Sequence, residues 1–526
     1  MNIGEPKSDE NSFQVSPSIL ARLAERPRAR MGMTPCLLFG SLILCFLIFS
    51  FFFPFFLRLP KKNSDFQAFP ECNPPTPPRV HGIYVRRKSV AKSPQGKPKI
   101  NTSNSWHIMD LSVQLGNQSC PNWFTGLKGL PQNFDLIIVG AGISGCVFAE
   151  QASRRYNLKS LIIDKRKHIG GNCYDFINRH GIRISQYGVH LFHTKFSRVW
   201  KYVNNFSDWT PYEHRVKGNI KIGAGYRMVP IPPSQDTINV LFGADVSNEI
   251  EMEEWLNSRR VPAEQPKNGE ESALARSGEE LYNAIFKHYT KKQWNKWPKE
   301  LDASVLARIP VRTNTDDRYF TDPFQALPKE GYTKIFENMV LEDPNITIRL
   351  CIDYFDVRGD LPESNLLVFT GPIDSYYSSL GLPKLEYRSL KFEEEYHEPE
   401  DGYYQNCLQL NYPGEEVDYT RVVEYKHKPN QPKDVHRRKG TVIFKEYSCD
   451  EGEPYYPVPN PENRSLYGKY KEMAARESKV CFVGRLASYK YFNMDQAFLN
   501  ALEMFDEYFS RSSSFPTHLG EGDGPK

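Results

Sequence analysis

Residues 134–155 read FDLIIVGAGISGCVFAEQASRR. The opening FDLIIV is a short apolar run of the kind that fills a buried parallel strand. The chain then turns through Gly140-Ala141-Gly142-Ile143-Ser144-Gly145 into a stretch with helical patterning. In such a turn the first glycine permits the bend, the second lets the backbone approach a pyrophosphate, and the third lets helix and strand pack closely. The helix start, with Ser144 in it, offers free N–H groups to phosphates. A second apolar strand, Leu161-Ile162-Ile163, ends in Asp164, 24 residues after Gly140. That spacing suits a carboxylate gripping a ribose hydroxyl, and Lys165 follows it. The pattern predicts a dinucleotide-binding α/β fold.

Outward from this stretch, the 526 residues suffice for two or three domains. A content of 40% hydrophobic and 13% aromatic residues excludes a wholly disordered chain. The 10 cysteines form no C-x-x-C pair, which argues against a zinc ribbon or a disulfide scaffold. The net charge of +4 divides unevenly. Residues 1–130 hold 16 Lys and Arg against 7 Asp and Glu, whereas the rest holds 51 against 56. A mildly acidic body excludes a nucleic-acid partner of the usual basic kind.

The basic leader contains CLLFGSLILCFLIFSFFFPFFL, an uncharged run at 36–57. As a helix it would reach about 33 Å, enough to span a bilayer. It is longer than a signal-peptide core and ends in bulky Phe, so it is expected to stay as an anchor. Four arginines before it and three basic residues after it favour a cytoplasmic N-terminus by a narrow margin. The expected organisation is a tail at 1–35, the anchor at 36–57, a Pro-rich basic stalk at 58–130, a body at 131–510 and a tail at 511–526. Sequons at Asn101, Asn117, Asn205, Asn345 and Asn463 permit a type II protein of the secretory pathway. A cytosol-facing body is the alternative.

Ile169-Gly170-Gly171-Asn172, placed just after the acidic strand end, resembles the second phosphate loop of two-dinucleotide-domain flavoproteins. Val480–Gly484, then Arg485 and a helical stretch from Asp495 to Phe509, resembles the late strand and helix that return to the flavin in that class. The resemblance implies FAD. It also implies a Rossmann-like domain built from 131–200 and 475–510, with helical and antiparallel-sheet substrate regions inserted between.

The middle of the chain is more specific. It carries Tyr187-Gly188-Val189-His190-Leu191-Phe192-His193, Pro211-Tyr212-Glu213-His214, Tyr289-Thr290-Lys291-Lys292-Gln293-Trp294, Leu306-Ala307-Arg308 and Asp317-Arg318-Tyr319-Phe320. Asn411-Tyr412, Tyr419-Thr420-Arg421, Lys445-Glu446-Tyr447, Tyr455-Tyr456-Pro457 and Tyr489-Lys490-Tyr491 follow. In this order the motifs closely resemble UDP-galactopyranose mutase, over roughly 134–510. The resemblance implies a flavin-dependent isomerase interconverting UDP-galactopyranose and UDP-galactofuranose, in which reduced flavin N5 attacks the anomeric carbon without net redox change.

By the same resemblance Arg308 and Arg421 bind the diphosphate, and Tyr319, Tyr456 and Tyr491 hydrogen-bond it or the adjoining sugar. Tyr289 stacks on uracil, with Thr290 beside it and Trp294 in a substrate-closing loop. Asn411 and Asn493 complete the substrate side. His190, His193, Arg485 and Met494 border the flavin, whose phosphates fall to Gly140, Gly142, Gly145, Gly171 and Asn172. Arg308, Arg421, Tyr491 and His193 are the expected catalytic groups. Arg312, four residues after Arg308, is expected to share its helical face. Two positions depart from the pattern: Asn493 replaces a common Asp, and His214 a common Asn. His190 and His193 lack a third ligand, so no metal is expected.

NADPH or a separate reductase is the expected electron source, and a homodimer the expected assembly. Two other readings share parts of this pattern. An FAD-dependent amine oxidase-like oxidoreductase shares the glycine fingerprint but leaves Arg308 and Arg421 unexplained. A degenerate flavoprotein scaffold predicts lost glycines or lost arginines, and neither is lost.

Overall fold

The computed structural model describes residues 126–511. The anchor expected at 36–57 lies outside the described residues, and no described helix is long and apolar enough to cross a membrane.

The apolar run folds as the strand Asn133–Val139, at the centre of a five-stranded parallel sheet. Ile138 pairs with Ile162 on one side and Val368 on the other. Across the sheet the strands run Ile346–Leu350, Ser160–Asp164, Asn133–Val139, Glu363–Phe369 and Val480–Phe482. Strands buried on both faces read as continuous apolar runs, as this central one does. The helix Ile143–Tyr156 and the late helix Met494–Arg511 pack together on the sheet. Phe148 of the first meets Phe505 of the second edge-to-face at 5.4 Å.

The nucleotide fold is wider than 131–200 plus 475–510. Two of its strands, Ile346–Leu350 and Glu363–Phe369, come from mid-chain, and the helix Tyr332–Val340 joins its core. Parallel neighbours distant in sequence leave no local pattern that marks them as partners.

A seven-stranded sheet forms the second layer. It runs Tyr456–Pro457, Tyr387–His397, Thr441–Cys449, Arg421–Glu424, Gln409–Asn411, Val216–Ile222 and Gly225–Ile231. All its pairings are antiparallel except that between Gln409–Asn411 and Val216–Ile222. Helices between residues 235 and 307 make the third part. Among them Gly269–Leu281 continues through a π-helical turn, Tyr282–Lys287, into His288–Trp294. Wide turns of this kind are frequent at functional sites. A small sheet of Phe192–Thr194, Trp209–Pro211 and Phe324–Pro328 carries His193.

Candidate active site

Two glycine loops build a phosphate-sized cradle. Gly140 bends with φ +109°, in the left-handed region, and a Cβ there would lie 2.1 Å from Thr370 Oγ1. A Cβ on Gly171 would lie 2.8 Å from Gly142 Cα, so the second loop closes directly on the first. The helix Ile143–Tyr156 starts at Gly142 without a side-chain cap, leaving its first N–H groups for a ligand. Buried Ser144 abuts Gly484.

Asp164 ties this region together. Its Oδ2 accepts from the Ala141 N–H and its Oδ1 from the Arg166 N–H, each at 2.8 Å. Burial raises its pKa. Lone pairs beyond these two bonds remain for a ribose hydroxyl. Lys165 pairs with Glu453 at 2.7 Å, and Asn172 Oδ1 accepts from Arg166 Nη1. Together with the glycines these residues line a cavity of about 610 Å³, while Gly145 stands behind the wall.

A second cavity, of about 300 Å³, shares His190, Arg485, Phe492, Asn493 and Met494 with the first. The junction is where a bound flavin would present its reactive ring to a substrate. The Nε and Nη2 of Arg485 are buried without a partner among the described residues. Unpaired buried donors of this kind fit an acceptor-bearing cofactor. Burial pulls the His190 imidazole down to about 4, and its Nδ1 lies 2.9 Å from the Gly188 carbonyl. It is neutral at physiological pH.

Cations and phenols meet in the smaller cavity. The Arg308 guanidinium lies 3.7 Å from the Tyr491 ring centroid and donates to Asn493 Oδ1 at 2.8 Å. Arg485 lies over both Tyr456 and Tyr491, whose rings stack at 5.1 Å. Arg421 pairs with buried Glu446 at 2.9 Å. Burial works against the Arg421 charge, but Glu446 and the surrounding tyrosines hold its pKa well above the ordinary value. Tyr289 and Tyr319 also face this cavity, and burial pushes Tyr319 up to about 12. Thr290 and Asn411 line the wall and are buried.

His193 is held from behind. Its Nδ1 sits 2.6 Å from Asp322 Oδ2, and its ring stacks on Phe320 at 3.5 Å. Gln325 fixes the loop by donating to the carbonyls of Phe320 and Asp322. A carboxylate on Nδ1 fixes that nitrogen as the N–H, leaving Nε2 as the nitrogen able to take up a proton. Asp322→Asn lets the ring settle in the other tautomer. The expected result is a kcat about 100-fold lower at unchanged flavin content and KM. Steady-state kinetics at saturating flavin measure it, and an unchanged kcat would exclude His193 from proton handling.

Residues 284–491 match the UDP-galactopyranose mutase family model, and residues 138–206 match the model of an NAD(P)-binding Rossmann-like domain. Over 386 residues the chain is 39% identical to a dTDP-fucopyranose mutase of Escherichia coli, covering 72% of this chain and 99% of the relative. It is 39% identical over 384 residues to a probable UDP-galactopyranose mutase of Klebsiella pneumoniae, covering 72% of this chain and 95% of the relative. It is 31% identical over 420 residues to a UDP-galactopyranose mutase of Mycoplasma genitalium, covering 76% and 99%. The chain belongs to the UDP-galactopyranose mutase family. It is a flavin-dependent isomerase.

The fold of this mutase-family chain is also that of a crystal structure of reduced UDP-galactopyranose mutase, at TM-score 0.57 and 16% identity, covering 74% of this chain and 96% of the other. A putative protoporphyrinogen oxidase from Exiguobacterium shares the fold at TM-score 0.51 and 12% identity, covering 73% of this chain and all of the other.

Two local expectations change within the mutase site. Trp294 lies not in a loop but on the helix His288–Trp294, which also carries Tyr289. Trp294 is buried against Leu301 and Val458, with Tyr456 and Tyr491 alongside. Within the polar run between Tyr289 and Trp294, Lys292 Nζ donates to the carbonyls of Tyr412, Val417 and Tyr419. Arg312 does not share a helical face with Arg308, because the helix ends at Ala307. It is buried and braces the following turn through Asp316.

The structure adds Glu446, Asp322 and Gln409 to the site, and places His214, where the resemblance allowed a sugar contact, in the wall of the smaller cavity. Glu446 stood inside a quoted motif. Asp322 and Gln409 carried no sequence signal.

Proposed function

We propose that this protein interconverts UDP-galactopyranose and UDP-galactofuranose, with FAD held in the larger cavity. One observation carries the reading: three arginines and four tyrosines surround a cavity joined directly to the dinucleotide cradle. Arg308, Arg421 and Arg485 against the one carboxylate of Glu446 leave two positive charges, which match a diphosphate diester. Planar guanidiniums suit its oxygens, and phenols add rigid donors without charge. Reduced flavin supplies the covalent chemistry at the anomeric carbon. The chain's own residues hold the departing UDP and keep the sugar against the junction. With Asn rather than Asp at 493, the Arg308 charge stays uncompensated and available to phosphate.

The test is to incubate the purified flavoprotein with UDP-galactofuranose and dithionite, and to follow UDP-galactopyranose by chromatography. Conversion under reducing conditions only is expected. Absence of conversion with bound, reduced flavin would overturn the reading, and oxygen consumption with an amine would favour the oxidase. Adding NADPH in place of dithionite tests the expected electron source, with a separate reductase as the other. Sedimentation tests the homodimer.

The run at 36–57 is proposed as the membrane anchor, with the body in the secretory pathway in type II orientation. The described sequons differ in access. Asn463 is 4% exposed and its amide donates to the Val458 carbonyl, so the folded body has no room for a glycan there. Asn345 is half-buried against Ser153 and Asn157, whereas Asn205 is exposed. A glycan is therefore expected on Asn205 and not on Asn463. A mobility shift on glycosidase treatment, lost from the body in Asn205→Gln, checks this. An unglycosylated Asn205 would favour the cytosol-facing alternative.

A further inference from the structure

The strand Arg421–Glu424 leads through one 3-10 turn, Tyr425–His427, to Lys428. A lysine is almost never fully buried without a counter-charge. This one is 2% exposed. Its Nζ lies over the rings of Tyr425 and Tyr332, 5.2 and 5.8 Å from their centroids, and donates to the His190 carbonyl at 3.4 Å. That carbonyl is its hydrogen-bond acceptor among the described residues. Asp175, the carboxylate that acts on it, already accepts from the Tyr332 and Thr333 N–H groups at 2.9 Å each.

Burying a charge in this way is costly, and aromatic faces recover only part of the cost. Burial pulls the Lys428 pKa down to about 8, against the pull of Asp175 and with the help of Arg183. The ammonium therefore keeps its charge at neutral pH. An apolar side chain of similar length would pack between the two tyrosines without that penalty. The charge itself calls for a role, and its neighbour supplies one. His190 lines both cavities where they join. Burial is the main reason that the imidazoles of His190 and His214 resist protonation, and the Lys428 charge adds to it in both. The field of the ammonium thus reaches the walls of the junction.

A flavin ring placed at that junction changes its charge on reduction. Taking up two electrons and one proton turns the neutral ring into an anion, and a nearby fixed cation favours that form. We propose that Lys428 is a positioning residue which, from behind the His190 peptide, biases the bound flavin toward its reduced state. This rests on the flavin reading of the larger cavity. The isomerisation has no net redox change, so a bias of this kind keeps the cofactor in the form that the reaction uses from one turnover to the next. At the effective dielectric of a protein interior, a unit charge about 10 Å away shifts such an equilibrium by about tenfold.

Equilibrium reduction of the full-length flavoprotein against a reference dye tests it by giving the midpoint potential of the bound flavin. Lys428→Met keeps the bulk and removes the charge. Lys428→Gln also removes the charge but keeps an N–H for the His190 carbonyl. Both are expected to lower the ratio of reduced to oxidised flavin about tenfold at a fixed potential, which is about 30 mV for a two-electron couple. Flavin content and melting temperature are expected to stay near the wild-type values, because a buried charge is removed and none is stranded. An unchanged potential in both variants would overturn the proposal. So would a wild-type potential in Lys428→Gln alone, which would assign the effect to the hydrogen bond and not to the charge. Failure of both variants to fold or to retain flavin would overturn it as well and leave Lys428 a structural residue. If the wild-type protein itself binds no flavin, the cofactor reading fails, which is a separate result.

Discussion

Arg421→Ala is expected to lose two to three orders of magnitude in kcat/KM and also to destabilise the body. The two losses have different causes. Arg421 starts the strand Arg421–Glu424 and faces the smaller cavity, where its guanidinium would meet the diphosphate of the proposed substrate. Truncating one partner of a buried, charge-assisted contact costs about 2–5 kcal/mol, which is roughly 30-fold to several thousand-fold in a rate or binding constant. The stability loss comes from Glu446, which is 2% exposed and depends on Arg421 for its counter-charge. Burial already raises the Glu446 pKa, and Arg421 is what draws it back. Stranding that carboxylate costs about 3–5 kcal/mol. The double variant Arg421→Ala/Glu446→Gln removes the stranded charge, so its melting temperature should recover much of the loss while kcat/KM stays low. Arg421→Lys keeps the charge but not the planar fork, and should fall between the two. Turnover measured by chromatography, with thermal melts and flavin absorbance in parallel, separates these effects. An active Arg421→Ala would remove the arginine from diphosphate binding.

The parts of this site visible in the sequence were those with a local grammar. The glycine turn, the acidic strand end at Asp164 and the late strand at Val480–Phe482 each announce themselves within a few residues, and the first two line one cavity with Gly484, just beyond the third. The family motifs likewise placed Arg308, Arg421 and the tyrosines in one cavity. What escaped depends on partners far along the chain. The strands Ile346–Leu350 and Glu363–Phe369 look like any apolar run until the central sheet claims them. Trp294 was expected in a loop, but Lys292, two residues before it, finds three carbonyls more than a hundred residues away, and so a helix carrying both can be covered. One miss had a readable signal. Pro310 disfavours helix at Ile309, which argues against a continuous face from Arg308 to Arg312. Asp322 and Gln409 are polar groups whose meaning is set by burial and by one or two distant atoms, so spacing alone could not single them out.

Gly145→Ala is expected to abolish flavin retention and to destabilise the nucleotide domain, although it adds a single methyl group. An alanine Cβ at this position would lie 1.9 Å from the Gly140 carbonyl oxygen and 3.1 Å from Ile138 Cγ2. Neither neighbour can move cheaply. The Gly140 N–H is bonded to the Ile163 carbonyl at 2.8 Å, and the next residue, Ala141, donates to Asp164. Ile138 is fully buried between two paired strands. Relief must therefore come from lifting the helix Ile143–Tyr156 off the sheet, and that helix carries Phe148 and its contact with Phe505. Overpacking of this kind costs about 1–3 kcal/mol or more. Because the displaced element's N-terminus lines the larger cavity proposed to hold the cofactor's phosphates, lost packing and lost cofactor affinity are expected to coincide. Gly468→Ala is the matched control: it lies within the helix Pro461–Ala474, and a Cβ there meets nothing within 4 Å. Replacing a mid-helix glycine without a clash stabilises by about 0.5–1 kcal/mol. Opposite shifts in melting temperature are expected from the same chemical change, with yellow protein recovered only from the second. A flavin-loaded Gly145→Ala with wild-type melting would show that the helix and the glycine turn are not packed as tightly as these distances require.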